Sequence, residues 1–458
     1  MRKKLFKLSL LAVCIILFNA CNSDELTENA SNEDWVTFEE NPYVLDETSV
    51  LSETSAFLQN LSSSNPSLRS ASIEAKSHDV KVKKIRTTLA EKSSVSKQVT
   101  QEVPVYILQY KDEANRPAGY TVTVGDNRFD EKVIMFNDKG EFADFDNNEF
   151  WKERIEGYIY NTVNKDKTDE KVSVRAGELP SFIVHFLDDW GTSWHQYGKP
   201  YSEFTPFRGG QRASAGCTTA AMAEIMAYHF WPLRGAYERY DDKGVKQEKE
   251  TSYTITHWFG IKNNYYNYRL PNDPVLKEHI SNLFAEIAYK LNTNFVSNTE
   301  AYASPLDVSA VFKQMGYYSG NFKDLHQYYN ENRTKYFENF NEDIRKEIVE
   351  YRRPVYMGGW KSSGWKNGHA FIIIGVMTDA TQNIQDLKTV AYYYINSGNA
   401  GSDDGWYLSS IFKNPQNPET NGFLYPYRYD CGIIKGIYPN NNNMGSTSLY
   451  RVSTKNPY

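Results

Sequence analysis

One cysteine lies where its sulfur would be activated as a nucleophile. Cys217 follows Ser214, Ala215 and Gly216 and opens the segment CTTAAMAEIMAYH, in which apolar residues recur at helical spacing. This pattern predicts a buried helix with Cys217 in its first turn. Unpaired backbone N–H groups and the positive end of the helix dipole stabilise a thiolate there, so we expect the pKa of Cys217 to fall below about 8.5. A role as a small buried residue is the alternative.

Three further residues are candidates to act with this cysteine. His369 opens the apolar run HAFIIIGVM, which predicts a buried strand, and Asn396 ends the next predicted strand, AYYYIN. Cys, His and Asn follow one another as in a papain-type triad, at a Cys-to-His spacing slightly above the roughly 130–150 residues of such enzymes. Upstream, Gln196 lies in the predicted loop WHQYGKPY. A glutamine amide ahead of a cysteine nucleophile is the usual second donor of an oxyanion hole. Each residue taken alone also fits a structural role.

Residues 181–458 contain the elements needed to position these side chains. LKEHISNLFAEIAYKLNTNF and SPLDVSAVFKQMGY are predicted helices, with His279 on the solvated side of the first. IRKEIVEYRRPVYMGGW predicts a helix that runs to Arg353 and is broken by Pro354, after which a strand begins.

Residues 61–165 are predicted to form a smaller domain. VPVYILQY, GYTVTVG and EKVIMFN alternate apolar and polar residues between turns, which predicts an antiparallel meander with one solvated face. EFWKERIEGYIYNTV then predicts a helix that packs on this sheet through an apolar stripe, Phe150, Ile155, Tyr158, Ile159 and Val163. No catalytic set converges there, so we expect a regulatory or binding module. A charged linker at 166–180 follows, and Lys171 and Arg175 are its first predicted cleavage sites.

The N-terminus predicts export. Basic residues precede a short apolar run, as in a secretory signal over residues 1–20. The sequence LFNAC resembles a loose lipobox, so we expect Cys21 to carry a lipid and the protein to be a lipoprotein of the outer membrane or cell surface; plain secretion is the alternative. Residues 21–60 are rich in acidic side chains and predict a solvated tether.

Composition excludes several classes of protein. The chain has 458 residues, too many for one ordinary domain, and its net charge of −6 gives no sign of a nucleic-acid partner. Two of the four cysteines, Cys14 and Cys21, lie in or next to the signal. Only Cys217 and Cys431 remain, so the chain is not a disulfide scaffold. A Cys217–Cys431 disulfide is the alternative to a free nucleophile.

Longer segments resemble the streptopain family of secreted bacterial cysteine peptidases. The resemblance lies in AGCTTAAMAEIMAYHFWP, in RRPVYMGG with NGHAFIIIGV, and in WHQYGKPY. It implies a papain-like α+β fold with Cys217 as nucleophile, His369 as acid and base, Asn396 as orienting residue and Gln196 as oxyanion donor. Residues 103–136 resemble the inhibitory propeptide of that family, which implies a zymogen. Protein or peptide substrates and the chain's own propeptide are then the expected partners, the membrane is reached only through a lipid on Cys21, and no cofactor or metal is expected.

One segment departs from the family. Where members usually read Asn-Trp-Gly-Trp-Gly-Gly, this chain has NSGNAG, so Ser397 and Asn399 replace two tryptophans. We expect water to screen the His–Asn contact more strongly at Ser397. Trp365 and Trp406 are candidates to fill the gap. Two alternatives to an active peptidase therefore stay open: an inactive surface-binding lipoprotein with the peptidase fold, and an N-terminal domain that inhibits foreign peptidases.

Overall fold

The structure is a computed structural model, and it describes most of the chain. The described residues are 36–64, 77–93, 97–142, 149–164, 182–187, 194–232, 234–241, 243–252, 254, 257–261, 273–360, 368–379, 390–413, 416–417, 422–423 and 430–440. The predicted signal, Cys21, the whole 166–180 linker and Trp365 lie outside these residues. The chain divides into two compact units, Met1–Pro42 with Arg86–Glu102 and Tyr43–Ile85 with Val103–Tyr458.

Helices and strands are mixed along the chain. The strands are β1 (Val36–Glu39), β2 (Ser77–Thr88), β3 (Gln98–Lys111), β4 (Pro117–Val124), β5 (Val133–Asn137), β6 (Phe182–Phe186), β7 (Phe207–Arg208), β8 (Gln211–Arg212), β9 (Arg234–Tyr240), β10 (Lys246–Ser252), β11 (Asn294–Phe295), β12 (Ala301–Tyr302), β13 (Tyr317–Tyr318), β14 (Lys323–Asp324), β15 (Val355–Trp360), β16 (His369–Asp379), β17 (Val390–Asn396), β18 (Gly405–Leu408), β19 (Gln416–Asn417), β20 (Gly422–Phe423), β21 (Asp430–Ile434) and β22 (Tyr438–Pro439). The helices are α1 (Glu47–Ser64), α2 (Glu149–Val163), α3 (Cys217–His229), α4 (Pro274–Lys290), α5 (Pro305–Gln314), α6 (Leu325–Glu331) and α7 (Tyr336–Arg345), with a π-helical turn at Lys346–Glu350 and short 3-10 turns at Ala90–Lys92 and Ser409–Phe412.

The smaller unit is built around a parallel strand pair. Strand β1 lies beside the first residues of β3, with Val36 opposite Gln98. The side-chain amide of Asn41 donates a hydrogen bond to the carbonyl of Glu102 at 3.0 Å. Part of the predicted acidic tether is therefore a strand, and its backbone groups are satisfied by pairing.

The larger unit is organised around one sheet. From residue 103 onward, β3 is followed in the sheet by β4, β5, β18, β17, β16, β15, β21 and β14, and β6 also pairs with β16. The meander β3–β4–β5 is antiparallel, as predicted. Strand β5 pairs with β18, with Phe136 opposite Trp406 and Met135 opposite Tyr407. The predicted propeptide and the peptidase region thus share a sheet within one compact unit.

Both faces of the meander are buried, so the prediction of one solvated face is wrong. Tyr106, Leu108 and Tyr110 form a cluster with Val50 and Leu58 of α1. The residues of β3 that alternate with them belong to the main core, together with α2. Helix α1 lies where the sequence predicted a solvated acidic tether. The acidic residues before it and the Ser and Thr within it masked an apolar stripe, and burial of that stripe on the sheet stabilises the helix.

The helices of the peptidase region follow the predicted patterns closely. Helix α3 packs on β16 and β15, and α4 buries the apolar stripe that predicted it. The predicted helix before Pro354 ends in the π-helical turn at Glu350, slightly earlier than expected. His279 is half-buried rather than solvated, because its ring stacks near that of His257 with centroids 4.0 Å apart.

Candidate active site

The thiol of Cys217 is held at the N-terminus of α3, as predicted. Gly216 caps this helix with φ +91°, a conformation that strains any residue with a Cβ. The sulfur accepts hydrogen bonds from the backbone N–H groups of Ala370, Thr218 and Cys217 itself. Burial nevertheless raises the pKa of the thiol, because loss of water outweighs these donors. The expected lowering of the pKa is therefore wrong for this form of the protein.

His369 is brought near the thiol by the packing of α3 on β16. It is the first residue of β16, and the N–H of the next residue, Ala370, is bonded to the sulfur of Cys217. The imidazole donates a hydrogen bond to the carbonyl of Ser397. Its Nε2 is buried and has no hydrogen-bond partner among the described residues. Burial lowers the pKa of His369 to about 4, so the ring is neutral at neutral pH.

Asn396 lies beside this pair but uses its side chain elsewhere. It ends β17, and its Oδ1 accepts a hydrogen bond from the N–H of Gly398 at 3.1 Å. Its side chain is also hydrogen-bonded to Glu224. Since His369 is bonded to Ser397, the orienting role of Asn396 stays a prediction.

Gln196 runs alongside the loop that leads to Cys217. Its backbone carbonyl accepts hydrogen bonds from the N–H groups of Ala215 at 3.0 Å and Gly216 at 3.2 Å. Its side-chain Nε2 donates to Oδ1 of Asn399 at 3.0 Å. The fold therefore brings the predicted oxyanion donor next to the nucleophile's helix, and its catalytic role remains a prediction.

Glu224 is a site residue that the sequence analysis missed. It lies on α3 and is fully buried. Its Oε1 accepts a hydrogen bond from the N–H of Trp194 at 2.6 Å, and the carboxyl is also bonded to Asn396. Burial raises the pKa of this carboxyl well above its ordinary range. The sequence carried one signal for this residue, a single carboxylate in an otherwise apolar helix. Such a residue indicates a specific contact, because a buried acid needs hydrogen-bond donors.

Ser397 fills the position of the first missing tryptophan without admitting water. It is fully buried, and Asp404 accepts hydrogen bonds from its N–H at 2.8 Å and its hydroxyl at 3.1 Å. The expected increase in water at this position is wrong for the intact chain. Trp406 does not take the place of the missing tryptophan, because its ring packs against Phe136 and Tyr394.

Helix α2 covers the histidine. The rings of Phe150 and Trp151 lie 6.0 Å and 6.4 Å from the imidazole of His369, centroid to centroid. One turn along, the guanidinium of Arg154 donates a hydrogen bond to the sulfur of Cys431 at 3.6 Å. Cys217 and Cys431 are both free thiols, so the alternative of a disulfide between them is wrong.

The propeptide region also holds the loop that follows Asn396. The hydroxyl of Tyr120 and the side-chain amide of Asn137 both donate to the carbonyl of Asp404, at 2.9 Å and 2.6 Å. Asp404 in turn holds Ser397, the partner of His369. The predicted propeptide region thus contacts the site from two directions, through α2 and through this loop.

A thiol at a helix N-terminus, beside an antiparallel strand that begins with a histidine, on a mixed sheet-and-helix core, is the arrangement of a cysteine peptidase of papain-like α+β fold. The match to a family agrees with this class. Residues 194–407 match the model of the Peptidase C10 family.

Relatives with curated names are similar over most of the chain. Thiol protease/hemagglutinin PrtT of Porphyromonas gingivalis is 26% identical over 347 residues, which cover 71% of this chain but 36% of PrtT. Streptopain of Streptococcus pyogenes is 25% identical over 346 residues, 70% of this chain and 78% of streptopain. Among solved structures, a fragment of Prevotella intermedia prointerpain A matches with a TM-score of 0.48 and 18% identity, over 73% of this chain and 95% of that one.

Proposed function

We propose that the chain is a cysteine endopeptidase made as a zymogen, with residues 61–165 as its inhibitory propeptide. The observation that carries this proposal is the packing of α2 against His369, where the rings of Phe150 and Trp151 lie beside the imidazole. Apolar surroundings disfavour the charged form of a histidine. Cys217 has a raised pKa and His369 a lowered one, so both side chains are neutral in the intact chain, and a neutral thiol is a poor nucleophile.

Removal of α2 would allow Cys217 and His369 to form a thiolate–imidazolium ion pair. Water would reach the site, and the proton of the Cys217 thiol would pass to His369 to give thiolate and imidazolium. The sulfur then attacks the carbonyl carbon of a peptide bond, and the electron pair of the carbonyl moves to oxygen. The N–H of Cys217 and the amide of Gln196 bind this oxyanion.

The remaining steps release two products. The imidazolium of His369 donates its proton to the leaving amine as the C–N bond breaks, which leaves a thioester on Cys217. The neutral imidazole then takes a proton from water, whose oxygen attacks the thioester carbon. The C–S bond breaks, the acid leaves, and the sulfur returns as thiolate. Asn396 is proposed to orient the imidazole during both transfers.

Export and anchoring complete the proposal. The basic and apolar N-terminus supports a signal peptide, and LFNAC supports lipid attachment at Cys21. No helix among the described residues is long and apolar enough to cross a membrane. A lipid on Cys21 would hold the zymogen at the outer membrane or cell surface, and a cut in the 166–180 linker would free the peptidase half. Labelling of the wild type but not of Cys21→Ala by a metabolically supplied fatty acid tests the anchor.

Controlled cleavage of the full chain tests the enzyme. Limited proteolysis within 166–180 should produce hydrolysis of an unstructured protein substrate and labelling of Cys217 by an irreversible cysteine-peptidase inhibitor. Cys217→Ala should be cut by the added protease but show neither effect. If the cleaved wild type shows neither effect, the peptidase proposal fails, and an inactive surface-binding lipoprotein becomes the better-supported hypothesis.

A further inference from the structure

Asn399 holds the side chain of the proposed oxyanion donor. Its Oδ1 accepts a hydrogen bond from Nε2 of Gln196 at 3.0 Å, although the two residues are far apart in the chain. An amide nitrogen carries two N–H bonds. A bond to Asn399 therefore occupies one of them and leaves the other to face a substrate oxygen.

Asn399 is itself fixed by the backbone around it. It forms an antiparallel bridge with His195, and the N–H of Ala400 donates to the carbonyl of Trp194 at 3.1 Å. The carbonyl of Asn399 accepts from the N–H of Ser402 at 3.0 Å. The acceptor that meets Gln196 thus sits on a rigid turn.

Gln196 is anchored from the opposite side as well. Its carbonyl accepts from the N–H groups of Ala215 and Gly216 and from the hydroxyl of Ser214 at 2.9 Å. With the backbone tied to the loop before Cys217 and the amide tied to Asn399, the side chain has little rotational freedom left. A preorganised donor costs no ordering when the oxyanion forms.

We infer that Asn399 is a positioning residue for the oxyanion hole, holding the Gln196 amide so that its second N–H is directed to the oxygen of the tetrahedral intermediate. This inference rests on the proposed peptidase function. It also gives the replacement of a family tryptophan by Asn399 a specific role: the turn that replaces it contributes a hydrogen-bond acceptor to the catalytic cleft in place of an indole.

Variants of both residues test the inference in the full chain after cleavage at 166–180. Loss of an oxyanion donor costs about 10²–10³ in rate, and loss of its positioning should cost less. We expect Asn399→Ala to lower kcat about tenfold and to leave KM within about twofold. A peptide aldehyde, whose bound form is a hemithioacetal with an oxyanion, should bind more weakly by a similar factor. Alkylation of Cys217 by iodoacetamide forms no oxyanion and should be unchanged.

A double-mutant cycle separates positioning from general damage. Gln196→Ala with Asn399→Ala should be no slower than Gln196→Ala alone, because Asn399 acts only through Gln196. Ser402→Ala is the matched control, since it changes the same turn, keeps its backbone hydrogen bonds and should behave like the wild type. Asn399→Asp is isosteric and keeps an oxygen acceptor for the Gln196 amide, so it should retain more kcat and aldehyde affinity than Asn399→Ala, with normal alkylation.

Several results would overturn the inference. Full kcat and aldehyde affinity in both Asn399 variants, with both lost in Gln196→Ala, would show that Gln196 needs no anchor. Additive losses in the double variant would assign Asn399 a separate structural role. A cleaved wild type that hydrolyses no peptide is a different result, since it removes the proposed function itself and this inference with it.

Discussion

The indole of Trp151 lies nearly perpendicular to the imidazole of His369, with ring centroids 6.4 Å apart and planes at 75°. Trp151 also stacks on Tyr407, with centroids 4.4 Å apart. The same indole therefore joins α2, of the proposed propeptide, to β18 and covers the proposed general base. In this intact form the histidine has aromatic neighbours from the propeptide, whereas the family's own motif tryptophans are absent from this chain.

Removal of the propeptide should make Cys217 more reactive at neutral pH. Burial raises the pKa of the thiol in the intact chain, and only thiolate is alkylated rapidly. After cleavage, access of water and a protonated His369 should lower that pKa, so the alkylation rate near neutral pH should rise at least about tenfold. Iodoacetamide labelling as a function of pH, followed by mass spectrometry in a Cys431→Ala background, measures this. Identical profiles before and after the cut would contradict the prediction.

The intact chain should lose stability as the pH falls. The pKa of His369 is about 4 in the folded chain, against an ordinary value of 6.5. Between these two pH values the unfolded chain binds a proton at this residue and the folded chain does not. The stabilisation is complete above the pKa of the unfolded chain and is lost as the pH falls toward the pKa of the folded chain. The free energy of unfolding should be lower by about 2 kcal/mol near pH 5. His229 adds to the effect in the same direction, since its pKa is lowered to about 3.

A non-titrating variant isolates the contribution of His369. His369→Gln should lose less stability than the wild type between about pH 7 and pH 5, as measured by thermal unfolding of the intact chain. The remaining slope in the variant reports His229 and other groups. Equal slopes in the two proteins would show that His369 does not contribute to the pH dependence.

Gly359→Ala should loosen the propeptide. An ideal Cβ at Gly359 would lie 2.7 Å from the ring of Phe150 and 3.1 Å from the sulfur of Cys431, so the buried ring must move. Such overpacking costs about 1–3 kcal/mol. We expect faster cleavage of the linker by a fixed amount of added protease and measurable peptidase activity before the cut. Gly358→Ala is the matched control, because its Cβ would meet the hydroxyl of Tyr356 at an ordinary 3.4 Å. Equal cleavage rates for the two variants would contradict this account.

Local patterns were sufficient to predict the elements that carry the two reactive residues. The helix begins at Cys217 and the strand begins at His369, as the apolar runs and the preceding glycines indicated. These predictions succeed because periodicity and breakers act within a few residues of each other. The ionisation states were not predictable in this way. They depend on Phe150 and Trp151, which reach His369 from another part of the chain.

Contacts between distant segments account for the other differences. The pairing of β5 with β18 joins two strands that are separated by most of the chain, and no short pattern specifies such a partner. Helix α1 was missed because an acidic stretch precedes it and Ser and Thr make up much of it, although Val50 and Leu58 bury an apolar stripe. The sequence indicated only that Asn399 replaces a tryptophan. Its hydrogen bond to Gln196 depends on the fold, which brings two distant loops together.

Glu224→Gln should impair catalysis by disturbing Asn396. The carboxyl of Glu224 accepts hydrogen bonds from the N–H of Trp194 and from the side chain of Asn396. Glutamine replaces Oε2, which is buried without a hydrogen-bond partner among the described residues, by an NH₂ group that needs an acceptor, and the side chain of Asn396 is the polar neighbour that can supply one. The Trp194 bond is short and backbone-held, so the Asn396 amide should turn and present its nitrogen where its oxygen had been. Misplacement of an orienting group costs up to about 10²-fold in rate.

Kinetics of the cleaved enzyme measure the effect. We expect Glu224→Gln to lower kcat about ten- to a hundredfold with little change in KM, and to cause no further loss in an Asn396→Ala background. Glu286→Gln is the matched control, since Glu286 is also a buried glutamate but lies on α4, with Lys290 3.8 Å away. If the two glutamine variants lose activity equally, or if Glu224→Gln adds its full loss to that of Asn396→Ala, then the buried carboxyl supports the fold and does not orient Asn396.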